Sequence, residues 1–453
     1  MYDVMFVNGT CPDFNNEKMK KMNIAVKDGK IVYTGNDIPE AERIIDASGL
    51  IVSPGFIDIH MHEEDFVHEK EEYCISRMML EMGVTTAVGG NCGNLRQSLR
   101  DFKKILKRKG GSPVNYAMLA GYNSCRAKYG VGRYETPDKE QKQKIYAELK
   151  EEFEEGAFGL SFGIEYDPAI TYEEILEAIH NVSNDSNHII SMHYRGDGPR
   201  SIASVDEMIR IAAQISQKFQ ISHLSSCSAM GTMKEVLHMI NIAMEQNPRL
   251  NYDTYPYDAF STRIGSAVFD EGCFENWGKT YSDILLTEEP YKNVYCTEEI
   301  FRDARENYPL LLAVAFVMRE PEIVAAIVNE KGMIASDGLI RNGGGHPRAA
   351  GTFPRVLGKY VREEKVISMY DALKKMTVLP AERMGFSKKG RLELGCDADI
   401  TVFDPETISD GATFTELKAP KGIVSVMIGG EIVLENGSVL NDRKGTFISY
   451  DSI

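Results

Sequence analysis

The chain has 453 residues, of which 43% are hydrophobic and 26% are charged, as in an ordinary globular protein. Its 51 basic and 67 acidic side chains give a formal net charge of −16, which argues against nucleic acids or anionic membranes as partners. No apolar run reaches the roughly 18 residues of a membrane span, and the N-terminus lacks the pattern of a signal peptide. Eight cysteines without a CxxC pair indicate reduced thiols and a cytoplasmic protein.

Both ends of the chain are predicted to be rich in short strands. Met22–Val26 and Ile31–Tyr33 are short apolar segments, and Asp28–Gly29 between them is a hairpin signal. The C-terminal end has the same character. We therefore expect residues 1–52 and 391–453 to form one small β-sandwich domain.

Eight short apolar segments follow, and most are separated by amphipathic helical stretches. They are Ile51–Met61, Val84–Val88, Asn115–Gly121, Ala157–Phe162, Ile189–Met192, Gln220–Leu224, Leu250–Tyr255 and Gly332–Ser336. This alternation predicts an α/β fold, a (β/α)8 TIM barrel over residues 53–390, with its chemistry at the C-terminal ends of the strands. An open doubly wound sheet is the alternative. About 75 residues separate the last two segments, which predicts an inserted lid or subdomain around residues 260–330.

Residues that can hold a metal ion follow five of the eight predicted strands. They are His60 and His62 after the first strand, Cys92 after the second, His193 after the fifth, His223 after the sixth and Asp337 after the eighth. Imidazole, thiolate and carboxylate ligands together suit zinc. Asp337 is also a candidate to take a proton from water and deliver it to a leaving group. The alternatives are ordinary polar residues at strand ends and, for Asp337, a helix N-cap.

Candidates for binding an anionic substrate lie near the same strand ends. Tyr255 ends the seventh strand, His346 and Arg348 lie in a glycine-rich loop after the eighth, and Arg195 follows His193 closely. An arginine fork can clamp a carboxylate through two hydrogen bonds. A surface or core role is the alternative for each. The remaining histidines are predicted to lie at the surface: His68, His180, His188 and His238.

Several motifs in order along the chain carry a family resemblance. They are PGFIDIHMH, GVTTAVGGNCG, ISMHYRG, ISHLSS, YDTYPYDA, IASDG and GGGHPRAAGTFPRVLGKYVRE. From about Asp3 to Gly437, the sequence resembles the D-aminoacylases, which are N-acyl-D-amino-acid deacylases of the amidohydrolase superfamily. The resemblance implies a TIM barrel with a β-sandwich built from both termini. It also implies hydrolysis of the amide bond of a small N-acyl-D-amino acid to a carboxylate and a free amino acid.

The resemblance further implies two metal positions. The residues that match a tight zinc site are Cys92, His193 and His223. Those that match a second, weaker position are His60, His62, Cys92 and Asp337. Asp337 matches the general acid and base, and Tyr255 and Arg348 match residues that grip the substrate α-carboxylate.

Three features distinguish this chain from related proteins. Ser225 stands where the deacylases usually have a lysine that helps to bind the substrate carboxylate. Binding of the carboxylate is then expected to be weaker or rearranged, or the missing positive charge to come from Arg195 or Arg263. The first motif continues Glu63-Glu64-Asp65 instead of paired aspartates. The fourth strand lacks the modified lysine that bridges the metals of hydantoinases and dihydroorotases, which favours a bridging Cys92.

Two other functions remain open from the sequence. One is hydrolysis of a cyclic amide, such as a hydantoin or dihydropyrimidine, and the other is metal binding without catalysis. Arg263 is a candidate to select an acidic side chain. The sequence does not fix the oligomeric state and allows a homo-oligomer.

Overall fold

The structure, a computed structural model, describes residues 1–67 and 72–453, so His68 lies outside the described residues. The α-helices are Ile75–Glu81, Leu99–Lys109, Tyr122–Lys128, Lys139–Glu154, Tyr172–Val182, Ser201–Gln214, Leu224–Ser228, Met233–Gln246, Cys273–Trp277, Glu298–Asn307, Glu320–Val328, Arg348–Arg355, Met369–Met376 and Val378–Met384. Short 3-10 turns occur at Gly198–Arg200, Ala267–Phe269, Tyr281–Asp283 and Tyr450–Ser452, and Val356–Glu363 is π-helical. None of the helices in the described ranges is long and apolar enough to cross a membrane.

Eight parallel strands form the centre of the molecule. They are β1 (Phe56–Asp58), β2 (Val84–Gly89), β3 (Asn115–Met118 and Ala120–Gly121), β4 (Gly159–Gly163), β5 (Ile189–His193), β6 (Lys218–Ile221), β7 (Leu250–Thr254) and β8 (Met333–Ile334). The first half of β3 pairs with β2, and β2 pairs with β1. The second half of β3 begins a six-stranded sheet that runs in order from β3 to β8. Each of the eight segments that the sequence predicts as strands therefore overlaps a parallel strand.

The C-terminal ends of β1 and β8 lie side by side. Met61 and Gly338 form a parallel bridge, and the Asp337 N–H donates to the His60 carbonyl oxygen at 2.7 Å. The buried Asp58 carboxylate accepts the backbone N–H groups of His60 and Ser336, which ties the two strand ends together. These contacts bring the predicted ligands of β1 next to Asp337.

The two ends of the chain contribute strands to one sheet. A four-stranded sheet has the order Lys30–Gly35, Asn23–Lys27, Tyr2–Val7 and Ala41–Asp46. A seven-stranded sheet has the order Ser438–Val439, Glu431–Glu435, Ile423–Ile428, Ile400–Phe403, Ile51–Pro54, Thr10–Asp13 and Lys18–Lys21. Ile51–Pro54 pairs with Ile400–Phe403 on one side and with Thr10–Asp13 on the other. Side chains of both sheets, including Phe6 and Val402, share one hydrophobic cluster.

The segment between β7 and β8 has its own antiparallel sheet. Its four strands have the order Phe260–Arg263, Leu312–Ala315, Ile284–Leu286 and Val294–Tyr295. The Trp277 indole N–H donates to the buried Asp197 carboxylate at 2.6 Å, and this bond fixes the inserted segment to the loop after β5. The long connection that the sequence predicts as an insertion is therefore a folded unit. A hairpin of Ile340–Arg341 and Gly344–Gly345 follows β8.

Candidate metal centre and adjoining cavity

The six predicted ligand residues come together at the C-terminal ends of the parallel strands. These six residues form two groups, each with its ligand atoms within 4.8 Å of one another. One group is Cys92, His193 and His223, and the other is His60, His62, Cys92 and Asp337. Cys92 belongs to both groups, and all six residues are buried. The convergence follows from the topology, because the carboxyl ends of neighbouring parallel strands meet at one edge.

Cys92 lies at the centre of the cluster. Its Sγ is 3.3 Å from His60 Nε2 and 3.4 Å from His223 Nε2. His193 Nδ1 lies 2.9 Å from the same His223 nitrogen. Donor atoms about 3 to 4 Å apart suit one tetrahedral ion that binds its ligands at about 2.0 to 2.3 Å.

Glycines shape the loop that presents Cys92. Gly90 and Gly93 have φ angles of 72° and 73°, and a Cβ at either position would overlap with neighbouring atoms, including the Leu119 carbonyl oxygen at 2.0 Å. Cys92 itself has a φ of 54°. Two other ligand residues share this left-handed conformation, with φ angles of 33° at His223 and 51° at Asp337. Such angles cost a non-glycine residue about 1 to 2 kcal/mol, so the surrounding structure must hold these residues in place.

Three histidines are oriented through the ring nitrogen that faces away from the shared cluster. His193 Nε2 lies 2.7 Å from the Glu165 carboxylate. His60 Nδ1 lies 3.2 Å from Asp253 Oδ1, and His223 Nδ1 lies 2.6 Å from the Ser226 hydroxyl. Polar contacts of this kind fix the tautomer and the ring plane of a metal-binding histidine.

The protein favours the thiolate form of Cys92. Burial raises the pKa of its thiol, but the charges of His60 and His223 outweigh burial and hold that pKa well below its ordinary value. Burial lowers the pKa of His193, while hydrogen bonds with Cys92 and Glu165 raise it, and the net result is a pKa of about 10. Since the thiolate is the metal-binding form of cysteine, the donor set fits a soft or borderline divalent cation such as zinc.

Asp337 is paired with a buried arginine. Arg348 Nη1 lies 2.9 Å from Asp337 Oδ2, and His62 Nε2 lies 3.1 Å from Oδ1 of the same carboxylate. Burial raises the pKa of the Asp337 carboxyl, but Arg348 and the neighbouring imidazoles hold it well below its ordinary value. Asp337 is therefore an ionised carboxylate beside the ligand cluster, in the form that can accept a proton.

Three of the predicted substrate-binding residues, Arg348, Tyr255 and His346, are packed behind Asp337. The Arg348 guanidinium stacks over the Tyr255 ring at 4.7 Å, and the Tyr255 hydroxyl donates to the Ala259 carbonyl oxygen. His346 Nδ1 accepts the Arg348 N–H at 3.0 Å, and burial keeps the pKa of His346 well below its ordinary value. Arg348 Nε has no hydrogen-bond acceptor among the described residues. It is thus a buried donor on the residue that pairs with the Asp337 carboxylate.

Ser225 and Arg195 are both engaged by other groups of the protein. The Ser225 hydroxyl is buried and donates to the Tyr255 carbonyl oxygen. The Arg195 guanidinium pairs with Glu207 at 2.9 Å and donates to the Pro168 carbonyl oxygen, because the helix Ser201–Gln214 carries Glu207 back towards it. Neither side chain replaces the lysine of the family, because the Ser225 hydroxyl is bonded to backbone and the Arg195 guanidinium is paired with Glu207.

A cavity of about 840 Å³ adjoins the ligand cluster. His62 and Asp337 belong to its lining, and so does Arg263 from the inserted segment. Arg96 and Arg133 also line it. The inserted segment therefore forms part of the wall of the cavity that leads to Asp337.

Glu63 and Glu64, which replace the expected aspartates, have structural contacts. Glu63 accepts the backbone N–H groups of Gly90 and Arg96, and it thus holds the loop that carries Cys92. Glu64 accepts the Ser76 N–H and hydroxyl at the start of the helix Ile75–Glu81. The Glu63 carboxylate therefore stabilises the loop that carries Cys92.

Sequence reasoning missed several residues of the site. Glu165 follows the end of β4 by two positions, Asp253 lies in β7, and Ser226 follows His223 by three positions. Their places near strand ends were the signal that could have identified them. Of the histidines predicted at the surface, His180 and His238 are exposed. His188 is half-buried, because it packs against the rings of Phe153 and Tyr450.

Comparison with known proteins places these features in a family. The sequence model described as the amidohydrolase family matches residues 51–240 and 318–433. The chain is 30% identical to a D-aminoacylase of Alcaligenes xylosoxydans xylosoxydans, over 99% of this chain and 98% of that protein.

Solved structures give the same result. An N-acyl-D-glutamate deacylase from Bordetella bronchiseptica, in complex with zinc and a phosphonate inhibitor, is 27% identical with a TM-score of 0.87, and the match covers 99% of each chain. A D-aminoacylase structure described by its binuclear metal centre is 28% identical with a TM-score of 0.87, over 99% of this chain and 100% of that one. The α/β architecture is therefore shared with these proteins over essentially the whole chain.

Proposed function

The chain belongs to the amidohydrolase family, and we propose that it hydrolyses N-acyl-D-amino acids to a carboxylate and a free D-amino acid. It is a metal-dependent amidohydrolase that acts on linear amides, as the names of its full-length relatives indicate. One observation supports N-acyl amino acids as the substrate class: the ligand cluster and the ion pair of Asp337 and Arg348 lie in one site.

We propose zinc as the metal. The tight position would be held by Cys92, His193 and His223, whose donor atoms are one thiolate and two imidazole nitrogens. The weaker position would be held by His60, His62, Cys92 and Asp337. Sulfur and nitrogen donors favour zinc over the hard cations magnesium and calcium.

In the proposed reaction, Asp337 moves the proton. When bound, a divalent cation polarises an amide carbonyl and makes water more acidic. The Asp337 carboxylate accepts a proton from the attacking water and returns it to the departing amine nitrogen. Its ion pair with Arg348 keeps the carboxyl ionised and directs one oxygen away from His62. Attack of water forms a C–O bond, and collapse of the tetrahedral adduct then breaks the C–N bond. The same proton, taken up and returned by Asp337, serves both halves of the reaction.

Arg348 is the proposed partner of the substrate α-carboxylate. Its Nε is a buried donor without an acceptor in the described chain, and it lies on the residue that already contacts Asp337. The Tyr255 ring packs against the guanidinium, and His346 accepts the Arg348 backbone N–H. Holding the carboxylate there places the adjacent amide at Asp337, which turns binding energy into positioning.

The finer architecture is also a proposal. We propose that β1 to β8 close into one barrel, supported by the bridge between Met61 and Gly338. The barrel domain would span residues 53–390 with the insertion around 260–330, and residues 1–52 and 391–453 would form the β-sandwich, supported by the pairing of strands from both ends.

We further propose that the protein works in the cytoplasm, because all eight cysteines are free thiols. Light scattering would test whether it forms the homo-oligomer that the sequence allows.

A hydrolysis screen with metal analysis on the same sample tests the function. We expect N-acetyl-D-amino acids to be cleaved and their L-enantiomers to be cleaved far more slowly, with zinc bound to the active sample. Hydantoin and dihydrouracil serve as cyclic-amide controls. Ring opening without cleavage of linear amides would contradict the proposal, and a zinc-bound protein inert towards the whole panel would favour a metal-binding relative without catalysis.

A further inference from the structure

The wall of the cavity beside Asp337 carries several arginines. Arg96 comes from the loop after β2, and Arg263 comes from the strand Phe260–Arg263 of the inserted segment. The backbone N–H of Arg96 donates to Glu63 at 2.7 Å, which anchors the loop at that point. Two elements that are far apart in the chain thus each contribute a guanidinium to one cavity.

Arg263 differs from its neighbours because its guanidinium has no protein partner in the described residues. Arg133 donates to the Gly265 carbonyl oxygen, Arg341 donates to the Leu310 carbonyl oxygen, and Arg348 pairs with Asp337. Arg263 has neither an acceptor at hydrogen-bond distance nor a carboxylate within 4.0 Å in residues 1–67 and 72–453. Half-buried cations usually have such a partner, because desolvation of an unpaired charge is costly.

The charges around Arg263 increase this cost. Burial lowers the pKa of Arg263, and the positive charges of Arg96 and Arg341 lower it further. The carboxylates of Asp65 and Glu288 offset only part of this, and the result is a pKa of about 10. Arg96 Nε is buried without an acceptor in the described chain, and the nearest carboxylate oxygen, on Asp65, is 3.7 Å from Nη1. Arginines that repel one another in a cavity are stabilised by an anion that both can contact.

We infer that Arg263 and Arg96 bind a second carboxylate of the substrate, so that the enzyme prefers N-acyl-D-amino acids with an acidic side chain. This inference rests on the proposed deacylase function. Arg348 already provides a separate position for the α-carboxylate, next to Asp337. One cationic position behind Asp337 and a second on the cavity wall fit a substrate with two anionic groups.

The same chemistry could be supplied by an acidic acyl group. Two matched substrate pairs separate the sources, because each pair differs by one carboxylate. N-acetyl-D-glutamate with N-acetyl-D-glutamine tests the side chain. N-succinyl-D-alanine with N-butyryl-D-alanine tests the acyl group.

The experiment compares kcat/KM of the metal-loaded wild type with that of the Arg263→Gln, Arg96→Gln and Arg263→Lys variants. We expect the wild type to prefer the glutamate compound to the glutamine compound, and Arg263→Gln to lower kcat/KM for the former by about 10- to 100-fold, as expected for a lost charge-assisted hydrogen bond. The glutamine compound should change little. Arg96→Gln should act in the same direction, and Arg263→Lys should keep part of the preference.

Arg302→Gln is the matched control. Arg302 lies on the helix Glu298–Asn307 of the same inserted segment, and its side chain is largely exposed. The Arg302→Gln substitution removes one positive charge without altering the cavity, so the preference for the glutamate compound should be unchanged. Circular dichroism and thermal melting check that each variant is folded.

Three results would overturn the inference. The first is an equal loss of kcat/KM on the glutamate and glutamine compounds, which would assign the arginines to the α-carboxylate. The second is a preference for the anionic compound only in the succinyl pair. The third is a wild type that does not prefer the glutamate compound to the glutamine compound. Calorimetric titration with D-glutamate and D-glutamine separates failure of the proposed anion site from failure of the proposed deacylase function. If no amide is cleaved but D-glutamate still binds more tightly in an Arg263-dependent way, the anion site stands and the deacylase function fails.

Discussion

The ligand cluster and the arginine-lined wall border the same cavity but are stabilised in opposite ways. The cluster stands on the ends of parallel strands, and residues such as Glu165 and Asp253 hold its imidazoles. Arg263 on the wall belongs to an inserted segment and has no ion pair in the described chain. The comparison teaches that protein contacts alone hold the residues proposed for chemistry, whereas the arginine proposed for selectivity would gain its partner from the substrate.

Replacing Cys92 should break the cluster most severely. We expect Cys92→Ala to lose the bound metal and all measurable hydrolysis, because this thiolate belongs to both ligand groups. Metal analysis of the purified protein is the measurement. Cys296→Ala, which removes a buried thiol from the inserted segment, is the control and should keep its metal. Full metal occupancy in Cys92→Ala would refute the ligand assignment.

Asp337→Asn tests the cluster without removing the tight ligands. We expect kcat to fall by about 10²- to 10⁴-fold, because an amide cannot accept the proton. Metal should remain on Cys92, His193 and His223. Steady-state kinetics and metal content on one sample provide the check, and near-normal turnover would remove Asp337 from the proposed reaction.

Trp277→Ala tests the wall instead. The indole packs against Phe260 and Phe269 and donates to Asp197, so its loss should destabilise the protein by about 3 to 5 kcal/mol. Urea unfolding measures this change, and Trp277→Phe should lose less because it keeps a ring. Metal content should stay unchanged and KM should rise. Loss of metal would mean that the wall and the cluster are not separable.

Glu165→Ala should have the smallest of these effects. Removing the carboxylate that holds His193 Nε2 is expected to weaken metal affinity by about 10- to 100-fold. Competition with a chelator measures the affinity, while kcat at saturating metal should change little. Glu165→Gln should recover part of the affinity, since an amide oxygen can still accept a hydrogen bond. An unchanged affinity in Glu165→Ala would show that strand geometry alone orients His193.

The sequence predicts the cluster better than the wall for a physical reason. Ligands such as His193 and His223 follow apolar strands, and parallel topology brings strand ends together whatever the loops do. The contacts of Arg195 and Arg96 depend on where helices and loops return, which local pattern does not encode. Arg195 follows His193 by two positions, yet it pairs with Glu207 on the next helix. The folded insertion was predictable from its length, but its antiparallel strand order was not.

The sheet that joins both ends of the chain affects how the protein can be made. During synthesis, Ile51–Pro54 leaves the ribosome long before its partner strand Ile400–Phe403. At about 5 to 20 residues per second, the roughly 350 intervening residues take about 20 to 70 s to translate. One edge of Ile51–Pro54 is unpaired throughout that interval, and unpaired edges recruit strands from other chains. Nascent chains should therefore be most prone to aggregate before residues 400–439 emerge, so slower expression with chaperones should raise the yield of folded enzyme.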